Sequence, residues 1–75
     1  MPTLDQLHLG QVGRVERLAG DPALVQRLYE MGMLEGDTVE VLAFAPLGDP
    51  MEVRVGDTRL SLRKREAAAV TVSTP

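Results

Sequence analysis

A β-hairpin signal in the second half of the chain restricts its fold more than any other feature. The runs Met51–Val55 and Leu60–Leu62 each alternate apolar with polar residues, and Gly56-Asp57 stands between them. Alternation with a period of two gives a strand one apolar side. A glycine at the reversal supplies the positive φ that a two-residue turn needs. The sequence therefore predicts two antiparallel strands that are each buried on one side.

Three other segments have the composition of short strands, namely Arg14–Leu18, Thr38–Ala45 and Ala69–Val72. The second is the longest, and strict alternation divides it into an apolar side and a mixed side. The apolar side comprises Val39, Val41, Ala43 and Ala45, and the mixed side comprises Thr38, Glu40, Leu42 and Phe44. We expect this strand to be exposed where it begins and covered where it ends.

One helix is predicted between the first two strands. The Asp21 side chain can accept from the free amides of a first turn, and Pro22 at the first helical position loses only a donor that has no partner. From Leu24 onward, apolar residues recur at i, i+4 and i+7, as on one side of an amphipathic helix. The helix is predicted to end at Met31, because Gly32 provides a left-handed stop.

These elements predict one small domain that comprises residues 1–75. Short strands that are each buried on one side reduce their exposed edges best by curling into a barrel. The predicted fold class is mainly β with one inserted helix, a small SH3-like, five-stranded, partly open barrel.

Composition argues against several classes of function. The chain has no Cys and a single His, which removes thiolate nucleophiles and zinc ribbons and makes a classical catalytic triad untenable. Neither a GxGxxG nor a GK[ST] phosphate-binding motif occurs. The formal net charge is -3, whereas nucleic-acid binding needs surplus cations on one face. We therefore expect no enzyme activity, no cofactor and no nucleic-acid partner.

His8 is the only imidazole, and it lies between Leu7 and Leu9. As a metal ligand it would have to recruit carboxylates such as Asp5. We expect it to be a surface residue. The first ten residues include an acid and no long apolar run, so we also expect a cytoplasmic protein without direct membrane insertion.

The segment Ala45–Pro50 interrupts the strand pattern with two prolines and a glycine. The prolines lack an N–H group and end the ladder, while Asp49 can bond back to nearby backbone amides and stiffen the loop. We expect Leu47, at the centre, to fold back over one end of the barrel beside Phe44. The alternative is that a rigid loop offers Leu47 to a partner protein.

The surfaces best suited to a partner are the broad apolar side of the helix, this loop and the basic concentration formed by Arg59, Arg63, Lys64 and Arg65. Exposed cations of this kind can steer a protein to an acidic or anionic surface. Core packing is expected for most of the helix's apolar positions. The candidate partner-binding residues are Leu24, Arg27, Leu28, Leu47, Asp49 and Arg63.

Three blocks in order, RLYEMGMLEGDTVEV, APLGDPMEVRVG and LSLRKREA, make the chain resemble the FeoA family. The resemblance covers about Leu7 to Val72. The same core is similar to the SH3-like domain of iron- and manganese-dependent repressors. One position departs from the family pattern, because Gln26 stands where members often have a second arginine. A role that needs paired arginines on the helix is therefore not carried over.

The resemblance implies an SH3-like barrel that assists ferrous iron uptake by contacting the cytoplasmic domain of a FeoB-type membrane transporter. It also implies loose association with transition metals and leaves a homo-oligomer open. The alternative function is a metal-sensing or repressor-associated SH3-like interaction module, which would bind a transition ion or dock on a DNA-binding domain. A true sensor would bind the ion stoichiometrically.

Overall fold

The computed structural model describes residues 1–75 and confirms a mainly β fold. The elements are a 3₁₀ turn at Leu4–Gln6, β1 at Val12–Leu18, α1 at Pro22–Met31, β2 at Thr38–Phe44, β3 at Met51–Val55, β4 at Thr58–Leu62, α2 at Lys64–Ala67 and β5 at Val70–Ser73. The five strands form one antiparallel sheet in the order β4-β3-β2-β1-β5. Neither helix has the length and apolar character needed to cross a membrane.

The predicted hairpin is confirmed, with β3 and β4 paired in register around the Gly56-Asp57 turn. Each strand turns one side inward, and together they contribute most of a cluster of 16 buried apolar residues. From α1, Leu28 enters this cluster with none of its surface exposed. The sheet therefore encloses one core, and α1 packs on it through the fully buried Leu28 and the partly buried Leu24, Val25 and Met31.

The predicted alternation along β2 is wrong beyond Val41. Val39 and Val41 are buried as expected, but the pairing with β3 shifts at a β-bulge between Val41 and Ala43. A bulge inserts one extra residue and reverses which side the following residues occupy. Phe44 consequently lies opposite the buried Met51, whereas Ala43 lies opposite Glu52. The expectation that the strand is covered where it ends is wrong, because 37% of Phe44 is exposed.

The predicted bounds of α1 are confirmed, and so are its caps. The Asp21 carboxylate accepts from the amides of Ala23 and Leu24 at 2.9 and 3.1 Å. Gly32 ends the helix with a φ of 104°. Two free amides are satisfied at one end and a left-handed residue closes the other, so the helix has a fixed length of 10 residues.

A second helix, α2, is not predicted from the sequence pattern, in which Arg63–Glu66 reads as a basic connection. Its four residues lie between β4 and β5, and Arg63 is the N-terminal cap. The segment carries three exposed cations but buries Glu66 and Ala67. This short helix determines how the candidate residues are arranged.

Candidate partner-binding face

The loop at residues 45–50 is held by its own main chain. The Ala45 amide donates to the Pro50 carbonyl at 2.9 Å, and the Gly48 amide donates to the Ala45 carbonyl at 2.7 Å. The expectation that Leu47 covers the barrel is wrong, because 95% of its surface is exposed. The turn from Ala45 to Gly48 directs this side chain into solvent, so the loop presents an isolated apolar residue.

Asp49 stiffens this loop, but through a partner far along the chain. Its Oδ1 accepts the amide of Lys64 at 3.0 Å, and no hydrogen bond to the loop's own amides forms. Because Lys64 is the first residue of α2, the carboxylate also satisfies one free amide at that helix start. The loop and α2 are thereby joined.

Glu66 connects α2 to α1. Its Oε1 accepts the amide of Arg63 at 2.8 Å, and its Oε2 lies 3.1 Å from Nε of Arg27. Only 4% of Glu66 is exposed, whereas the Arg27 side chain is 67% exposed. A buried carboxylate with a cation and an amide as partners avoids the cost of an unpaired charge. The hydrogen bonds therefore fix α2 between the loop and α1.

Leu24 lies half-buried beside the same junction. A cleft of about 220 Å³ runs between the start of α1 and α2, with Leu24, Arg27, Arg65 and Glu66 among its lining residues. Leu24 packs partly against the core and leaves the rest of its surface in this cleft. The α1 side of the cleft is thus partly apolar and partly charged, and the α2 side is charged.

Leu28 does not belong to this surface, and its candidacy as a contact residue is corrected. The side chain is fully buried among the strands, as expected for core packing. The remaining candidates gather around α2. We call the following set the contact face: Leu24, Arg27, Leu47, Asp49, Arg63, Lys64 and Arg65.

The contact face carries free positive charge. The chain's three ion pairs engage Arg27, Arg54 and Arg59, so Arg63, Lys64 and Arg65 have no carboxylate partner. All three are exposed. The chain as a whole is acidic, with a formal net charge of -3, and this local excess of cations therefore distinguishes the contact face from the protein's average surface.

Outside the contact face, one hydrogen bond perturbs two ionisable groups on the surface. The Tyr29 hydroxyl donates to Oε2 of Glu35 at 2.5 Å. This bond lowers the pKa of the Glu35 carboxyl and raises the pKa of the Tyr29 hydroxyl, because it favours a charged acceptor and a neutral donor. It joins α1 to the turn that follows the helix.

Metal ligands do not gather anywhere in the chain. No group of three or more His, Cys, Asp or Glu side chains forms a potential metal site. His8 is exposed, as expected for a surface residue. The residues present therefore do not fit a metal site built by one copy of the chain alone.

The role of Lys64 in the contact face and the role of Glu66 beside it do not follow from the sequence pattern. One signal for them is present, since a glutamate stands three residues after the cap position and alanines follow it. Glutamate at that position accepts from the cap amide, and alanine favours a helix. The run of three cations before it instead gives the segment the appearance of a solvated connection.

Residues 3–74 match the family described as the FeoA domain. A Fe(2+) transport protein A/Fe(2+) transporter FeoB fusion protein from Porphyromonas gingivalis is 38% identical over 69 residues, which are 92% of this chain and 8% of the fusion protein. The chain thus spans a small part of that relative.

Two solved structures are also similar. FeoA from Chlorobium tepidum has 39% identity and a TM-score of 0.87, with 96% of this chain and 69% of that chain covered. Stenotrophomonas maltophilia FeoA complexed with zinc, described as a procaryotic SH3 domain protein, has 36% identity and a TM-score of 0.83, with 97% and 91% covered. The predicted SH3-like architecture is confirmed by this likeness.

Proposed function

The chain belongs to the FeoA domain family, and on that premise we propose that it assists ferrous iron uptake by binding the cytoplasmic part of a FeoB-type transporter through the contact face. Support for the partner comes from the Porphyromonas gingivalis relative, in which an FeoA-type segment and an FeoB transporter share one chain. Covalent fusion holds two modules at a high effective concentration, so it favours modules that act together. We propose accordingly that the protein acts on the cytoplasmic side of the membrane.

The observation that carries the proposal is Leu47, 95% exposed on a loop fixed by three hydrogen bonds. An exposed leucine gains free energy when a partner's apolar pocket removes it from water, about 1.5–3 kcal/mol for a fully buried side chain. A loop that is already ordered loses little conformational entropy on binding. Leu47 therefore has the properties of a preorganised anchor.

The three unpaired cations beside this anchor supply attraction at longer range. Charges on Arg63, Lys64 and Arg65 speed encounter with an acidic surface and contribute less to the lifetime of the complex. We therefore propose that the transporter surface is apolar at its centre and acidic at its rim. Binding through such a rim weakens as salt rises.

The proposed role is binding, without catalysis and without a cofactor. The contact face holds no imidazole or thiol, and the buried carboxylate of the adjoining Glu66 is already paired with Arg27. The Stenotrophomonas maltophilia protein is complexed with zinc, but this chain brings no three metal-ligating side chains together. A metal-sensing function is therefore not the preferred proposal.

An NMR titration tests the proposal. Isotope-labelled protein is titrated with the transporter's cytoplasmic part, with and without nucleotide, and the amide shifts are followed. Saturable shifts of the amides of Ala45, Leu47, Gly48 and Asp49 and of residues 63–65, with smaller changes on β3, are the expected result. The absence of any saturable change, or changes confined to the opposite side of the sheet, would contradict the proposal.

A further inference from the structure

The two edges of the sheet differ in how the chain covers them. At the β5 edge, Thr3 bridges to Thr71, and the Val72 amide donates to the Pro2 carbonyl at 2.9 Å. At the other edge, β4 pairs with β3 alone, and no other segment hydrogen-bonds to the main chain of residues 58–62. An uncovered edge presents unpaired amide and carbonyl groups to any strand that fits it.

The hairpin geometry identifies which groups are free. The two-residue turn closes on the pair Val55 and Thr58, and such a closing pair exchanges hydrogen bonds. Hydrogen-bonded and non-hydrogen-bonded pairs alternate along an antiparallel ladder. The amide and carbonyl groups of Arg59 and Ser61 therefore point away from β3 into solvent, and both residues are exposed.

We propose that β4 pairs with β4 of a second copy of this chain, antiparallel and centred on Leu60. In this register Arg59 of each copy lies opposite Ser61 of the other, on both sides of a two-fold axis. Each of these two pairs exchanges two hydrogen bonds, so all the free main-chain groups of Arg59 and Ser61 are satisfied. Two five-stranded sheets become one continuous sheet.

Side chains favour a second copy as the occupant. Leu60 is half-buried and packs against the core from the sheet edge. In the proposed register it lies opposite its own symmetry mate in a non-hydrogen-bonded pair, where cross-strand side chains come closest. The exposed part of one leucine is thereby covered by the other.

Charge fixes the register. The only charge on β4 is Arg59, which already pairs with Glu52 through Nε at 2.9 Å. Centring the pairing on Arg59 would place that cation opposite its own copy, and centring it on Ser61 would place Arg59 opposite Arg63. Directly opposed like charges destabilise strand pairs. Centring on Leu60 opposes Arg59 with an uncharged serine instead.

The dimer is expected to be weak. A single pair of short strands buries less than the roughly 1,200 Å² that characterises stable specific complexes. Self-association should therefore appear in sedimentation velocity as the full chain is concentrated from about 10 μM to about 1 mM. A chain that stays monomeric over this range would overturn the proposal.

Two substitutions at one position test the register. Ser61→Lys places a cation opposite Glu52 within its own hairpin but opposite Arg59 of the second copy, so association should weaken about tenfold or more. Ser61→Glu places an anion opposite Glu52 in its own hairpin and opposite Arg59 of the second copy. This variant should associate more strongly. Equal association constants for the two variants would overturn the proposed register, and thermal melts establish that both variants fold.

A cross-link tests the two-fold axis directly, because the native chain has no cysteine. Leu60→Cys places two thiols opposite each other at the centre of the dimer, within the separation a disulfide spans. Mild oxidation should give a covalent dimer of this variant. Thr58→Cys is the matched control. It should form no covalent dimer, because the residue opposite position 58 in the second copy is Leu62. Equal cross-linking of both variants would overturn the proposal.

Discussion

Asp49 in the loop and Lys64 at the start of α2 are joined by a 3.0 Å hydrogen bond across 15 residues of sequence. The same carboxylate caps a helix start and anchors the loop that carries Leu47. The orientation of the proposed anchor therefore depends on a helix that lies beyond two further strands in the chain.

Two substitutions of Asp49 should distinguish the contribution of its hydrogen bond from the contribution of its charge. Asp49→Ala should lower the free energy of unfolding by about 0.5–2 kcal/mol, because a helix cap is lost. Asp49→Asn retains an acceptor oxygen and should lose less. Urea denaturation gives both values, and an alanine variant as stable as the parent protein would show that the tether is not formed in solution.

Glu66 and Arg27 should contribute unequally to the free energy of unfolding although they form one ion pair. Glu66→Ala removes a buried carboxylate and leaves the Arg63 amide without its acceptor, at a cost of about 1–3 kcal/mol. Arg27→Ala should cost less, because removing this largely exposed side chain lets water reach the Glu66 carboxylate in place of the cation, and Glu66 keeps its amide partner. Chemical denaturation of both single variants measures the difference. Similar costs for the two would contradict the assignment of Glu66 as the connecting residue.

Substitution by alanine should lower the stability of the fold at Leu28 and leave it nearly unchanged at Leu47. Leu28→Ala should destabilise the fold by about 2–5 kcal/mol, since a fully buried side chain leaves a cavity. Leu47→Ala should change stability by no more than about 0.5 kcal/mol, as is usual on the surface. Thermal and chemical denaturation of the two variants compares them. A Leu47→Ala variant that unfolds as readily as Leu28→Ala would contradict the exposed position of the loop.

The Tyr29–Glu35 hydrogen bond should make stability depend on pH at both extremes. The lowered pKa of Glu35 gives a contribution that is present above the carboxyl's unfolded pKa and is lost as pH falls through its folded pKa. The raised pKa of Tyr29 gives a second contribution to stability, which is present below the phenol's unfolded pKa and is lost as pH rises through its folded pKa.

Tyr29→Phe tests this pair while it keeps the aromatic ring. NMR titration of the Glu35 carboxyl should show its pKa move upward toward the ordinary value in the variant. An unchanged Glu35 pKa would mean that the hydrogen bond is absent in solution.

Local signals in the sequence were enough to predict an element where a residue's conformation depends on its neighbours along the chain. Asp21, Pro22 and Gly32 determine α1 through caps that act within one turn, and Gly56 determines the reversal between β3 and β4 in the same way. The hairpin and the helix were therefore predictable from spacing alone. The SH3-like barrel followed from these elements and from the resemblance of three blocks to one family.

Non-local contacts decided what the sequence pattern missed. The bulge at Leu42 depends on how β2 aligns with β3, and it places Phe44 opposite Met51, where 37% of the Phe44 surface is exposed. The attachment of the Leu47 loop to α2 depends on the hydrogen bond between Asp49 and Lys64, and α2 depends on a glutamate that Arg27 neutralises from another element. These contacts join residues that are far apart in the sequence, so alternation and composition do not predict them.

Calorimetric titration with the cytoplasmic part of a FeoB-type transporter tests the central claim most directly. Leu9 is 65% exposed and lies outside the contact face, so Leu9→Ala is the matched control for Leu47→Ala. We predict saturable binding by the parent protein and by Leu9→Ala, and binding weaker by about tenfold or more for Leu47→Ala. Failure of the parent protein to bind, or equal affinity of all three proteins, would contradict the account.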